Sequence, residues 1–266
     1  MSLKQIDIHE CHKQLLDIAV AFDQICRTHQ IPYYMLGGTM LGAIRHKGFI
    51  PWDDDRDFGI PRPYFQQFIE IAQRELPTFY TLRKPAIRKG FIKIELKGSK
   101  LIEKNFDRQD TSFYTGIAID VFPLDGANNS SIEGRIYIKL AFNLLRLQEG
   151  RLCSLNIRKG FKKIIAFMIK KAPINDDVLI AFIDRWIQRF NYEESISIVN
   201  FYGNWKEKEL MNKRIFSKPI LYPFEKCQFY GVSLYDDYLK QLYGDYMQLP
   251  SVEKRTCHAD EIYIVE

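Results

Sequence analysis

The spacing of apolar and polar residues changes along the chain from a mixed pattern to a helical one. Apolar residues recur every three to four positions at residues 6–30, which predicts a helix with one buried face. The same spacing predicts a second helix at residues 63–76 and three more at residues 131–150, 157–171 and 176–192. This order predicts an α+β fold, with a mixed sheet core that carries an added helical lobe.

A glycine turn ends the first predicted strand. The apolar, β-prone run at residues 33–36 stops at Gly37 and Gly38, where backbone amides can approach a ligand closely. Thr39 is the predicted N-cap of the short helix that follows. Because free amides at a helix start favour an anion, Gly37, Gly38 and Thr39 are predicted to bind phosphate.

Alternating carboxylates follow this helix. Asp53, Asp55 and Asp57 are two residues apart and precede a short apolar strand at residues 58–60, so an extended chain would place all three on one face. Such carboxylates repel each other unless a cation lies among them or water surrounds them. We interpret them as a site for Mg²⁺ or Mn²⁺; the alternative is a solvated acidic turn without chemistry.

Asp120 is the predicted further carboxylate of this site. It lies in the apolar strand at residues 116–123, where a charge needs a partner, and the alternative is a cap or an ion pair with an arginine. Strands at residues 80–96 are predicted to flank the Asp57 strand. On these strands Lys93 is interpreted as part of a solvated face, with contact to phosphates as the alternative, and Asp125 is interpreted as a turn residue.

The bulk properties are those of a cytoplasmic enzyme. The chain has 266 residues, a net charge of +5 and five scattered cysteines without a CxxC motif, which indicates free thiols in a reducing compartment. We find no signal peptide, no apolar run of about 20 residues and no nucleic-acid-binding motif. The basic, apolar stretch at residues 157–171 is hypothesised to lie on the inner membrane face; the alternative is an ordinary packed helix.

Three ordered blocks together resemble the LicD family. They lie at residues 37–60, at residues 118–125 and at residues 235–250, the last followed by Arg255 and His258. Members of this family are bacterial phosphocholine transferases of teichoic acid and capsule assembly, related to the fukutin group in animals. The resemblance implies a nucleotidyltransferase-like fold and transfer of a phospho-alcohol, with CDP-choline favoured as the donor, to a glycan or lipid-linked glycan with release of CMP.

The resemblance also implies roles for individual residues. Asp55 and Asp57 would be metal carboxylates supported by Asp53, and Asp120 would bind a second ion or activate the acceptor hydroxyl. Independently of the resemblance, Arg45, His46 and Lys47 follow the short helix and could meet the donor diphosphate, or could be cations at a helix C-terminus.

The expected organisation is a single catalytic domain with a core at residues 1–127, a helical lobe at 128–212 and a C-terminal segment at 213–266. Aromatic residues are dense in the last third, where a choline head group could bind, although core packing is the favoured interpretation.

Three other functions stay open. The same acids would serve a nucleotidyltransferase that attacks the α-phosphate of a nucleoside triphosphate and releases pyrophosphate. They would also fit the DxD motif of a glycosyltransferase, although only about fifty residues precede Asp53 here. From a different class, the chain could be an inactive scaffold or donor-binding module of glycan assembly.

Overall fold

The computed structural model describes residues 2–85, 90–103, 115–152 and 175–265. The α-helices span Ile8–Thr28 (α1), Gly37–Arg45 (α2), Arg62–Glu75 (α3), Ile132–Leu152 (α4), Asp176–Ile187 (α5) and Tyr235–Tyr243 (α6). The predicted helix at residues 157–171, and the membrane hypothesis that depends on it, lie outside the described residues. Within those residues, no helix combines the length and the apolar character needed to cross a bilayer.

Twelve strands are described alongside these helices, so the predicted α+β class is confirmed. They span Leu3–Gln5 (β1), Tyr34–Met35 (β2), Asp57–Pro61 (β3), Tyr80–Arg83 (β4), Ile92–Leu96 (β5), Ser99–Glu103 (β6), Ala118–Ala127 (β7), Ser197–Val199 (β8), Leu210–Asn212 (β9), Ile220–Phe224 (β10), Cys227–Gly231 (β11) and Ala259–Val265 (β12).

The larger sheet is mixed and has β7 near its centre. Its strand order is β10-β11-β2-β3-β7-β5-β4, with β8 added to β7 and β9 added to β8. β3 is parallel to β7, whereas β5 is antiparallel to β7. The prediction that the strands at residues 80–96 flank the Asp57 strand is therefore wrong. Both edges of β3 are taken, one by β2 and the other by β7, so β5 pairs with β7 instead.

Helix α1 covers one face of this sheet, as its apolar spacing predicted. Asp7 caps its start, accepting a 2.8 Å hydrogen bond from the Glu10 amide. Phe22 is fully buried and its ring lies 4.7 Å from Phe58 of β3 and 5.3 Å from Phe68 of α3. Burial of such a side chain contributes about 1.5–3 kcal/mol, so this aromatic cluster joins both helices to the sheet.

The middle of the chain is only partly helical. α4 packs on α5, with the Tyr137 and Trp186 rings stacked 5.5 Å apart. The strands β8 and β9 also lie within the range expected for the helical lobe, and β8 pairs with β7 of the core. The proposed division of the chain into core, lobe and C-terminal segment stays a prediction.

A second, three-stranded sheet joins distant parts of the sequence. β12 lies between β1 and β6 and is antiparallel to both. The segments around residues 4 and 264 are therefore paired directly, with Lys4 opposite Ile264.

Asp125 is a buried partner of Arg62, so its interpretation as a turn residue is wrong. It lies inside β7 with 1% of its surface exposed, and both carboxylate oxygens accept hydrogen bonds from Arg62, at 2.6 and 2.7 Å. β7 continues to Ala127 because β8 pairs with it at Asp125, Gly126 and Ala127. Pairing with β8 therefore keeps Asp125 and Gly126 in a strand, although an aspartate followed by a glycine is typical of a turn.

We expect Asp125→Ala to lower the free energy of unfolding by about 3–5 kcal/mol, since it leaves the Arg62 charge without its buried partner. Urea denaturation measures this. The matched control is Arg189→Ala, which breaks an ion pair with Glu133 whose side chains are 55% and 76% exposed, and which should cost less than about 1 kcal/mol. Equal losses in the two variants would contradict the buried role of Asp125.

Candidate active site

Helix α2 begins at the glycine turn, three residues earlier than predicted. Gly37 has a φ of +46°, a conformation that favours glycine, and α2 starts at this residue with Leu36 as its N-cap. The prediction of Thr39 as N-cap is therefore wrong. Thr39 lies in the first turn, where its Oγ1 accepts a 2.8 Å hydrogen bond from the Asp57 amide. Thr39 thus fixes the start of β3.

Both glycines lie directly against carboxylates. A Cβ atom on Gly37 would be 2.9 Å from Oδ2 of Asp57, and one on Gly38 would be 2.7 Å from Oδ2 of Asp53. The Gly37 amide donates a 2.8 Å hydrogen bond to the buried Tyr238 hydroxyl of α6. The turn therefore packs on the acids, and one of its amides already has a partner within the protein.

The acidic segment, Asp53–Asp57, has no regular secondary structure before Asp57, the first residue of β3. The odd-numbered acids face the glycine turn or the adjoining cavity, while Asp54 and Arg56 are buried with 4% and 1% exposure. Asp57 pairs in register with Asp120 of β7. Asp55, Asp57 and Asp120 line one cavity of about 170 Å³ beside Gly37.

A metal-sized group of ligand atoms lies at one side of this cavity. Donor atoms of Asp53, Asp55 and His258 all lie within 4.8 Å of one another. Burial and the nearby Asp55 charge raise the pKa of both Asp53 and Asp57, as expected for carboxylates that share one buried site. Two carboxylates and one imidazole fit Mn²⁺ better than Mg²⁺, because Mg²⁺ prefers oxygen ligands. His258 was not predicted as a metal ligand, because only the family resemblance drew attention to it.

Asp54 holds the C-terminal segment in place. Its carboxylate accepts hydrogen bonds from the amides of His258 and Ala259, at 3.1 and 2.6 Å, and from Nδ1 of His258 at 3.0 Å. Although burial opposes it, these donors lower the pKa of Asp54 to about 2. The Asp54 hydrogen bond and the neighbouring carboxylates raise the pKa of His258 to about 9, so its imidazolium balances their charge at neutral pH.

Lys93 is the partner that Asp120 needs. Its Nζ lies 2.5 Å from Oδ1 of Asp120, because the two residues are paired in register between β5 and β7. The interpretation of Lys93 as part of a solvated strand face is therefore wrong. Burial raises the pKa of Asp120 and Lys93 opposes that rise, so the pair places a fixed ammonium next to the cavity.

Arg56 is a buried cation beneath the acidic segment. Its guanidinium lies between the rings of Phe49 and Phe224, 3.7 and 3.6 Å from their centroids. None of its three side-chain nitrogens has a hydrogen-bond partner among the described residues. Burial lowers the pKa of Arg56 to about 9, which keeps it charged at neutral pH. The two ring faces therefore hold a cation close to the acids.

A second, wider cavity lies beyond Gly38. It has a volume of about 600 Å³ and is lined by Asp53, His258 and Arg45 among others. Arg45 also donates a 2.8 Å hydrogen bond to the carbonyl of Tyr246. Lys47, by contrast, is exposed and lines neither cavity. The structure thus brings Arg45 to the site and leaves Lys47 on the surface.

Three of the C-terminal aromatic residues are fully packed in the core. Phe224, Phe229 and Tyr238 are each 1% exposed. Tyr243 and Tyr246 line the wider cavity. Core packing, the favoured interpretation of these aromatics, therefore holds for the first three.

Comparison with known proteins adds to this geometry. A family model described as "LicD/FKTN/FKRP, nucleotidyltransferase domain" matches residues 30–140, which include the glycine turn, the acidic segment, Lys93 and Asp120. The lipopolysaccharide cholinephosphotransferase LicD of Haemophilus influenzae is 31% identical over 278 aligned positions, covering 99% of this chain and all of the relative. The chain belongs to the LicD family.

Two further relatives match only short stretches of this LicD-family chain. An uncharacterized protein of Rickettsia typhi is 43% identical over 49 residues, covering 17% of this chain and 16% of the relative. Another, from Rickettsia prowazekii, is 49% identical over 37 residues, covering 14% of each. These two similarities are thus local, whereas the similarity to the Haemophilus protein extends over almost the whole chain.

We expect His258→Gln to destabilise the metal-free protein in a pH-dependent way. The folded pKa of about 9 exceeds the ordinary 6.5, so the stabilisation by His258 is complete below about pH 6.5 and is lost as the pH rises through about 9. Urea denaturation with a chelator should show a larger loss near pH 6 than near pH 10. In an Asp54→Asn background the loss at low pH should shrink, and a pH-independent loss would contradict the ion pair.

Proposed function

We propose that this LicD-family chain is a metal-dependent phosphotransferase that moves phosphocholine from CDP-choline to a hydroxyl of a cell-surface glycan precursor and releases CMP. The observation that carries the proposal is the convergence of Asp53, Asp55 and Asp57 with Asp120 at the glycine turn. The full-length similarity to a lipopolysaccharide cholinephosphotransferase supports phosphocholine as the transferred group.

Asp53, Asp55 and the deprotonated form of His258 would hold the ion, since their donor atoms lie within 4.8 Å of one another. Ion binding would therefore release the proton that His258 retains in the metal-free protein. A divalent cation bound there supplies charge neutralisation at the oxygens of the donor diphosphate. Asp57 lines the cavity with Asp55, so its carboxylate would add to the negative charge that retains the ion.

The protein's own cations and amides then orient the phosphates. We assign phosphate binding to the amides of Gly38 and Thr39 at the start of α2, because the Gly37 amide is already bonded to Tyr238. Arg45, at the rim of the wider cavity, would interact with the negative charge that develops on the leaving CMP.

Asp120 is the candidate general base. Lys93 binds its Oδ1, which leaves Oδ2 to accept the proton from the attacking hydroxyl. Lys93 also fixes the orientation of the carboxylate, and its ammonium supplies the positive charge that a second metal ion would bring to Asp120. We therefore assign a single metal ion to this site.

The acceptor in this proposal is a glycan or lipid-linked glycan of teichoic acid, capsule or lipopolysaccharide assembly, modified at the cytoplasmic side of the membrane. The family description includes a nucleotidyltransferase domain, which keeps nucleotidyl transfer with pyrophosphate release as the second candidate. The two reactions differ in the released product, CMP or pyrophosphate.

We expect Asp55→Asn and Asp57→Asn each to lower CMP release from CDP-choline by at least about 100-fold, because each removes a carboxylate that would retain the divalent cation at the reacting phosphates. Turnover is followed with Mg²⁺ or Mn²⁺ and a glycan extract as acceptor, and chelation should abolish it. Relief of carboxylate repulsion should leave thermal stability equal or higher.

The matched control is Asp237→Asn, a change of the same kind at an exposed position of α6. It should leave CMP release unchanged. Turnover retained in Asp57→Asn, or release of pyrophosphate from a nucleoside triphosphate in place of CMP, would overturn the proposed reaction.

A further inference from the structure

The cavity next to the acids has a second wall with a different chemistry. Between β8 and β9 the chain contributes Tyr202, Trp205 and Glu209, and the rings of Phe91 and Phe122 line the same cavity. Aromatic side chains and one carboxylate thus share a space with Asp55, Asp57 and Asp120. Neither the metal group nor the phosphate contacts described above involve this wall.

Glu209 is buried without a cation. It is 7% exposed, its Oε1 accepts a 3.3 Å hydrogen bond from the Trp205 amide, and it forms no ion pair among the described residues. Burial raises its pKa to about 7. A Cβ atom on Gly203 would lie 2.2 Å from the same oxygen, so the loop closes tightly around the carboxylate. A buried carboxylate of this kind is costly unless a bound group compensates its charge.

The aromatic residues indicate which cation would compensate it. Trp205 is 39% exposed and its ring lies 4.9 Å from Tyr243, while Phe91 and Phe122 are 4.5 Å apart. Ring faces attract weakly hydrated cations, of which a quaternary ammonium is the leading example. A primary ammonium would need three hydrogen-bond acceptors, whereas a quaternary ammonium donates none and is satisfied by ring faces and a diffuse negative charge.

Lys208 does not fill this position. Its Nζ lies 5.3 Å from the Trp205 ring centroid, but it donates to the carbonyl of Leu242 and is not among the residues that line the cavity. The carboxylate of Glu209 therefore faces the cavity without this lysine as a partner.

We propose that Tyr202, Trp205 and Glu209 form the subsite that binds the quaternary ammonium of the transferred alcohol. The inference rests on the proposed function, because it assigns one part of that donor. The volume of about 170 Å³ is several times the ~30 Å³ of one water molecule. Choline carries its ammonium two carbons from the phosphate oxygen, so the head group and the phosphate must occupy the same cavity. This cavity is lined both by the carboxylates of the proposed metal site and by the aromatic residues and Glu209.

The test compares phosphocholine with its neutral isostere, the phosphate ester of 3,3-dimethylbutanol, in which carbon replaces nitrogen. Binding to the full-length chain is measured by calorimetry, independently of turnover. The wild type should bind phosphocholine at least about 10-fold more tightly. Glu209→Gln and Trp205→Leu should reduce this preference to near 1, and Trp205→Phe, which keeps a ring, should retain most of it.

Glu207→Gln is the matched control, since Glu207 lies in the same turn but is exposed and paired with Arg146. It should leave the preference unchanged. If Glu209→Gln does not fold, judged by thermal unfolding, Trp205→Leu decides. Equal binding of the two esters by the wild type would overturn the subsite.

Turnover of CDP-choline and of the CDP-ester of 3,3-dimethylbutanol distinguishes failure of this inference from failure of the proposed function. Equal kcat/KM for both donors would overturn the subsite and leave the transferase intact. Loss of turnover with both donors in Glu209→Gln, at unchanged binding preference, would also overturn it and assign Glu209 to proton transfer. Selective binding of phosphocholine that depends on Glu209, without CMP release from CDP-choline, would support the subsite and would show that CDP-choline is not the donor.

Discussion

Repulsion among Asp53, Asp55, Asp57 and Asp120 is the constraint on which the rest of the site depends. Two like charges about 4 Å apart interact by about 4 kcal/mol at an effective dielectric constant of 20, which is comparable with much of the stability of a domain. Burial raises the pKa of Asp53 and Asp57. Because water is largely excluded from these carboxylates, it screens the repulsion between them only weakly. The fold must therefore bring positive charge to this one place.

That charge comes from separate parts of the sequence, which ties catalysis to the complete fold. β5 supplies the Lys93 ammonium to Asp120, and the segment before β12 supplies the His258 imidazolium through Asp54. Arg56 supplies a third cation, held between two phenylalanine rings and without a hydrogen bond among the described residues. Each cation is fixed by sheet register or packing, so the acids are oriented before any substrate arrives.

Features set by neighbouring residues could be predicted from the sequence, and features set by distant pairing could not. The α1 helix, the glycine turn and the alternation of the acids follow from local spacing, and the family resemblance came from short ordered blocks. The role of Lys93 depends on the register of β5 against β7, and that of Asp125 on Arg62, 63 positions away. His258 reaches Asp54 across 204 positions, and no local pattern indicates such a contact.

The three-stranded sheet has a consequence for the order in which the molecule forms. β12 follows His258 directly in the sequence and pairs with β1 on one side. The pairing of β1 therefore forms only after β12 has been synthesised. During synthesis on the ribosome, the core strands β2, β3 and β7 emerge long before His258, whose donor atom lies next to those of Asp53 and Asp55. Ion binding by a nascent chain would have only carboxylates to use, and full affinity would follow release of residues 259–265.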